Sequence, residues 1–521
     1  MSNSKGFSIV RSGLTVATIT LLAKVLSFVR DMLLARYYGA TAFSDIVLTS
    51  TSLVLLLSVF IRSPFSAAYL PIATDVYLLK EDKDKERFFG SVYAVMMVAG
   101  LVTVCVDYFL LDFIITAFMP GFSGEDYLTL KKMMMIQLPI VIFAFGGVVN
   151  YANLKVLNRF GISEISVGLI TACFVLYLFV FKNSLPVYGI AWCMVVAYAL
   201  NFVVGIVCVN IFGIKPQWSL NFKDFRNEFR PIFIAMIPFI ISSGAKEINV
   251  LADKAIASLL DKGSITMQSY ASKMTVTEVG LIATAISAVI AAQASKYNSL
   301  KEKEKLDELV YSGLKFVNTL MIPCCIFTII LRKEIISVLF GHGAFTDENV
   351  IITANTMMIY AIGMLGNGFE EVLLNTMVAT KHKRFPMVVS LIFIGLNIFL
   401  NFMLYKPFGI YGLAAASAFV AIAKVPCYII YTNNKITKLL EEKKIWSSVL
   451  RTFAASAISG TVCLFIRKLI VALCDNDIVS LVISGGVGLI SLIVLLCLFG
   501  NEYALAVKGK LIRLITTGGR S

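Results

Sequence analysis

Charged side chains stand inside the most apolar stretches of this 521-residue sequence, and they are unevenly spread. Lys24, Arg30, Asp31 and Arg36 fall in the first apolar stretch, Asp45 and Arg62 in the second, Lys246, Glu247, Asp253 and Lys254 in the seventh, and Lys273 and Glu278 in the eighth. A charge at mid-bilayer costs about 2.5 to 3.5 kcal/mol on insertion scales, so such residues are expected to face water, a partner or a ligand. Lys24 and Asp31 are nearly two helical turns apart and share a helix face, as do Lys246 with Asp253 and Glu247 with Lys254. Among these twelve residues seven are basic and five acidic, an excess that favours an anion. A guanidinium holds a phosphate bidentately and an ammonium acts as a point charge, so Arg30 with Lys24 and Lys273 is the set expected to hold a diphosphate. Arg36, Lys254 and Arg62 are equally well read as structural pairs or as side chains reaching for headgroups.

Other chemistries find less material. The ten cysteines lie mostly in apolar runs without a CxxC pair, and read as small buried hydrophobes. Two histidines, His342 and His382, supply neither a metal centre nor a nucleophile triad. Glu370 and Glu371 offer a cation or proton site, or pair with the basic run KHKR at 381–384. Asn397 and Asn401, four apart, offer carbonyl oxygens to Na⁺ near Asp253, or hydrogen-bond between helices. The acidic residues of KEDKDKE and KEKEKLDE are interleaved with lysine as in a solvated charge run, which disfavours a membrane-embedded polyprenyl-phosphate transferase.

These residues must be positioned by membrane helices. The chain is 58% apolar and 15% charged, against about 45 to 50% and 25% in soluble domains. Fourteen stretches read as spans: 10–36, 43–73, 88–118, 130–155, 161–182, 187–212, 231–260, 266–296, 309–331, 349–379, 385–405, 409–432, 446–472 and 478–506. Basic residues outside them, counted together with Arg11, Lys155, Lys182 and Lys296 at span ends, divide 27 to 5 between alternate sides, which places both termini in the cytoplasm and accounts for much of the +14 net charge without nucleic acid. The first span has no small-residue cleavage site and is expected to stay as an anchor.

The chain also matches itself about 222 residues on. SAAYLPIATDVYLLKEDKDKER at 66–87 aligns with SAVIAAQASKYNSLKEKEKLDE at 287–308, RDMLLARYYG with ADKAIASLLDKG, and PGFSGE with GAFTDE. A parallel repeat of six helices follows, with lobes at 1–213 and 231–434, a cytoplasmic linker at 214–230, and two further helices with a tail at 435–521. The fold class is all-α polytopic membrane protein.

AKVLSFVRDMLLARYYGATAFSD, FSAAYLP, MPGF, ASLLDKGSIT, YASK and LFGHGAFT occur in that order over about the first 350 residues. In them the chain resembles the MurJ (MviN) family of lipid II flippases, in the multidrug/oligosaccharidyl-lipid/polysaccharide exporter superfamily. The resemblance implies a transporter rather than an enzyme: a monomer of the bacterial cytoplasmic membrane, with V-shaped lobes around a cationic cavity and helices thirteen and fourteen forming a groove for a polyprenyl tail. It would serve peptidoglycan synthesis, cell-wall biogenesis and cell shape by moving lipid II between leaflets through alternating access. No cofactor is implied beyond Na⁺ or the membrane potential as coupling.

Carried over, the family's cavity arginines fall on Lys24, Arg30 and Lys273 and its acidic residue on Asp45, with Asp31 beside Arg30. A further arginine is absent at Leu57 or Ser58, and Arg62 one turn on substitutes for it. The acid expected at Val276 is found nearby as Glu278. The family's sodium ligands fall on Asp253, Asn397, Asn401 and Ser417, one expected carboxylate being an amide. Flippases for O-antigen or capsule units use the same charge logic and form the alternative. A drug antiporter of the superfamily fits less well, because a cationic cavity repels cationic drugs.

Overall fold

The computed structural model describes residues 2–182, 187–217, 222–438, 443–474 and 476–506. Every regular element among them is a helix, and the chain divides into two compact units, Met1–Thr266 and Met267–Ser521. Among the described residues ten helices are long and apolar enough to cross a bilayer. Helices satisfy their own backbone hydrogen bonds, which hydrocarbon cannot do.

The first unit begins with α1 (Ser2–Tyr38), which stops where Gly39 takes φ +64 and donates to Ala35 O at 2.8 Å. Thr41 and Ser44 then form a capping box, each side chain accepting from the other's backbone N–H, and start α2 (Ala42–Val54). Leu55 separates α2 from α3 (Leu56–Leu79), and α3 contains Pro64 and Pro71. After α4 (Asp82–Phe118) the chain turns back as α5 (Gly124–Gln137) and α6 (Pro139–Val156). The break at Leu138 falls before Pro139, which has no N–H to continue the ladder. α7 (Phe160–Val180), α8 (Gly189–Ile211) and α9 (Phe222–Ala257) complete the unit's helices.

α6 packs on α3, α4 and α8, and a buried polar chain joins the four. Tyr69 donates to Asn153 Oδ1 at 2.7 Å, Tyr93 to Asn150 Oδ1 at 2.5 Å, and Asn150 Nδ2 to Phe202 O at 2.9 Å. Lipid gives no hydrophobic drive between helices, so such bonds and close backbone approach hold the bundle. Its outer surface is apolar, with Phe109, Phe113 and Trp192 exposed.

The second unit takes up α10 (Ser264–Leu300) from its fourth residue and continues with α11 (Lys303–Ile330), α12 (Arg332–Phe340), α13 (Asp347–Ala379), α14 (Arg384–Lys435), α15 (Lys443–Leu473) and α16 (Asp477–Leu498). α14 holds two expected spans, because Gly409 takes φ 55 and ψ −136 and reverses the chain there. α13 lies against α14 through small residues: a Cβ on Gly363 would sit 2.8 Å from Ala418 Cα, and one on Gly366 2.4 Å from Ala421 O.

The repeat is visible in helix starts. Ala42, Asp82, Gly124 and Phe160 recur as Ser264, Lys303, Asp347 and Arg384, roughly 222 residues on. The compact units divide elsewhere. α9 opens the second repeat by sequence, yet it packs on α3 and α4 and belongs to the first unit.

Candidate functional site

The first unit holds most of the expected charges. Arg30 and Asp31 are neighbours on α1, whose side chains leave the axis about 100° apart, and the long arginine curls back. Its Nε and Nη2 donate to Asp31 Oδ1 at 2.8 and 2.6 Å. Asp31 is 2% exposed and the Arg30 side chain 27%, so the acid is spent bracing a cation that keeps an open side. Phe174 of α7 lies under the guanidinium at 5.9 Å, fixing it by cation–π contact. Lys24, two turns earlier, is half-buried and makes no ion pair among the described residues.

Arg62 of α3 is half-buried, and its Nε is enclosed without an acceptor. A buried donor without a partner costs roughly 1 to 3 kcal/mol, which an anion would recover. The Tyr198 hydroxyl on α8 is within electrostatic reach of both Arg62 and Arg30. Tyr198 and Phe174 were not legible as site residues, since α7 and α8 carry no charge in mid-span and aromatic residues abound there.

Asp45 sits elsewhere. Its Oδ2 accepts from Gly263 N at 2.7 Å, and its Oδ1 from Thr266 N and Oγ1 at 2.7 and 2.6 Å. It is 3% exposed, so both oxygens tie α2 to the turn that ends the first unit. Lys254 of α9 donates to Leu48 O at 3.2 Å and Ser52 Oγ at 3.0 Å, supporting α2 just before its break. Arg36 is exposed, Asp253 is half-buried on α9, and the side chain of Lys246 lies outside the described residues.

In the second unit Lys273 is half-buried on α10. Five residues on, Glu278 accepts from Thr328 Oγ1 at 3.3 and 3.4 Å. Asn397 and Asn401 are buried, with Asn401 Nδ2 donating to Asn397 Oδ1 at 3.2 Å and Asn397 Nδ2 to Ser417 Oγ at 3.5 Å. This chain joins the two arms of α14, the helix–helix role open to these amides. These oxygens are neutral and Asn397 Oδ1 is already engaged by Asn401, so a sodium ion here would need a further ligand such as a carboxylate. Among the described residues no cluster of three His, Cys, Asp or Glu side chains is placed to hold a metal. Glu370 pairs not with the loop lysines but with Lys424 at 2.6 Å, because α14 lies directly against α13. All ten cysteines are free, and Cys105 and Cys474 are exposed, against the expectation of burial.

Apolar helices arranged as a repeat, with a braced guanidinium and an unsatisfied one inside the first unit, define a polytopic membrane transporter. Solved structures of other membrane transporters share the fold. It matches a solved structure of lipid II flippase MurJ in an inward closed conformation with TM-score 0.76, at 22% identity over 94% of this chain and 99% of that one. An inward-facing multidrug resistance MATE transporter of the MOP superfamily matches with TM-score 0.68, at 9% identity over 82% and 99%. The family model described as Lipid II flippase MurJ matches residues 34–480, and the chain belongs to that family. Relatives named probable lipid II flippase MurJ include one from Buchnera aphidicola subsp. Acyrthosiphon pisum (strain APS), 25% identical over 74% of this chain and 76% of its own length. Another, from Thermotoga maritima (strain ATCC 43589 / DSM 3109 / JCM 10099 / NBRC 100826 / MSB8), is 24% identical over 88% and 91%.

Proposed function

We propose that this protein is a flippase that carries lipid II from the inner to the outer leaflet of the bacterial cytoplasmic membrane by alternating access. Family membership over residues 34–480 carries the reading. The Arg30, Asp31 and Arg62 arrangement supports it chemically. A diphosphate needs charge-assisted donors that are already oriented: Arg30 is held by Asp31 and Phe174, and Arg62 has a buried donor to satisfy. Lys24 on α1 adds a point charge, and Lys273 on α10 is a further candidate cation for the substrate. Asp45 serves by holding α2 in place. The polyprenyl tail follows α15 and α16, whose exposed apolar residues Phe465 and Ile490 suit a lipid chain. The moving parts of the monomer in this reading are the two repeats, 1–213 and 231–434, with α9 carried by the helices α3 and α4 on which it packs; membrane potential or a cation gradient drives them, with both termini in the cytoplasm.

Complementation tests the assignment. The gene is expected to restore growth to a strain depleted of its lipid II flippase, and the Arg30→Ala protein to fail while reaching the membrane in normal amount. Failure of the wild type, with restored O-antigen export in a strain lacking that flippase, would transfer the substrate to another undecaprenyl-diphosphate saccharide. Growth supported by Arg30→Ala would remove the anion site from the mechanism.

A further inference from the structure

A cavity of about 350 Å³ lies within the second unit among α11, α15 and the end of α16, and the transport reading makes no use of it. Local sequence builds it. Gly500 takes φ +71 and ends α16, and Asn501 then caps the next turn, its Oδ1 accepting from Tyr503 N at 3.1 Å and Ala504 N at 3.3 Å. Asn501 Nδ2 donates to Thr319 Oγ1 at 3.1 Å and the Tyr503 hydroxyl to Ser312 O at 2.9 Å, so α11 clamps the segment. Glu502 is thereby set over Lys315, with 2.7 Å between them.

The pair is lopsided. Lys315 is 10% exposed and Glu502 77%, so a sunken ammonium is met by a carboxylate that can swing into water. Arg451 lines the same cavity and has no ion-pair partner among the described residues. Ser447, Ser448 and Thr452 line it too, and Thr452, fully buried, has a hydroxyl without a hydrogen-bond partner. Two cations and three hydroxyls around a small cavity match a tetrahedral oxyanion, which accepts from several directions at once.

We propose that this cavity binds a phosphoryl group between Lys315 and Arg451, with Ser447, Ser448 and Thr452 as hydroxyl donors, and that Glu502 is the latch it displaces. The phosphoryl group can come from the headgroup of an anionic phospholipid or from free phosphate. Leu450 and Phe453 flank Arg451 and are exposed, which offers apolar surface for acyl chains beside the headgroup position. Basic pockets between membrane helices take such headgroups.

The test uses the purified full-length protein in maltoside micelles, titrated separately with dioleoylphosphatidylglycerol, dioleoylphosphatidylcholine and sodium phosphate, with binding followed by native mass spectrometry. Phosphatidylglycerol is expected to bind in preference to phosphatidylcholine, at least tenfold more weakly in Arg451→Gln, and more tightly in Glu502→Gln, where the competing carboxylate is gone. Lys333→Gln, which removes an exposed cation on α12, is expected to bind as the wild type does. Phosphatidylglycerol binding without phosphate binding assigns a lipid headgroup, and binding of both assigns the phosphoryl group itself. All three substituted positions are exposed, and unliganded melting temperatures confirm folding. Equal binding of the two lipids, no binding of any ligand, or affinities unchanged in Arg451→Gln and Glu502→Gln would overturn the proposal.

Discussion

At the scale of the residue, bracing separates charges that are available for a ligand from those already spent. Arg30 and Asp31 form one functional group, in which the acid fixes where the cation points. Asp31→Asn keeps the shape and one acceptor oxygen but removes the ion pair with Arg30, and flipping is expected to fall by roughly an order of magnitude, measured as lipid II reaching the outer leaflet. An unchanged rate would show that Arg30 needs no brace. A second pair concerns stability. Arg467 Nε donates to Glu334 Oε1 at 2.5 Å, and Glu334 is 1% exposed. Arg467→Ala strands a buried carboxylate and is expected to cost about 3 to 5 kcal/mol, seen as a lower melting temperature in detergent. Adding Glu334→Leu should recover much of it, because the stranded charge is then removed. The charge types and helical spacing around Arg30 were legible in sequence. The occupation of Asp45 by backbone amides was not, because its donors at 263 and 266 lie more than 200 residues away.

At the scale of the element, most helices were readable because hydrocarbon forces long apolar runs into helix. The differences fall where apolarity is silent. Leu55 and Leu138 divide stretches that read as single spans, the second ahead of Pro139. α12 was not expected: its nine residues are too polar for a span, and it is held by Glu334 bonding to Arg467 on α15 and Ser337 donating to Asp477 on α16. The contact between α13 and α14 is set by glycine, since Gly366 leaves no room for a side chain against the Ala421 backbone. Gly366→Leu is expected to destabilise by about 3 kcal/mol through overpacking, whereas Gly395→Ala, which meets nothing within 4 Å, should leave the melting temperature within a degree or two. Equal melting temperatures for the two variants would mean that the close approach is not structural.

At the scale of the whole molecule, orientation follows from loop charge and can be read with a native probe. If both termini are cytoplasmic, the turn between α15 and α16 faces outward, and it carries the exposed Cys474. A membrane-impermeant maleimide is expected to label intact spheroplasts at Cys474 and to lose that label in Cys474→Ser, while Cys105, mid-helix on α4, stays unlabelled. Labelling of Cys474 only after lysis would invert the topology. The sequence by itself determined the membrane class, the repeat, the surplus of basic residues and, through its motifs, the family, since each follows from composition or spacing along the chain. Tertiary structure decided which charges are braced, which are consumed as struts and which donors go unfilled. It also decided that α9 packs with the first unit although it opens the second repeat by sequence. The physical reason is that an ion pair or a buried donor depends on distances between helices far apart in the chain, and hydropathy and periodicity carry no information about those distances.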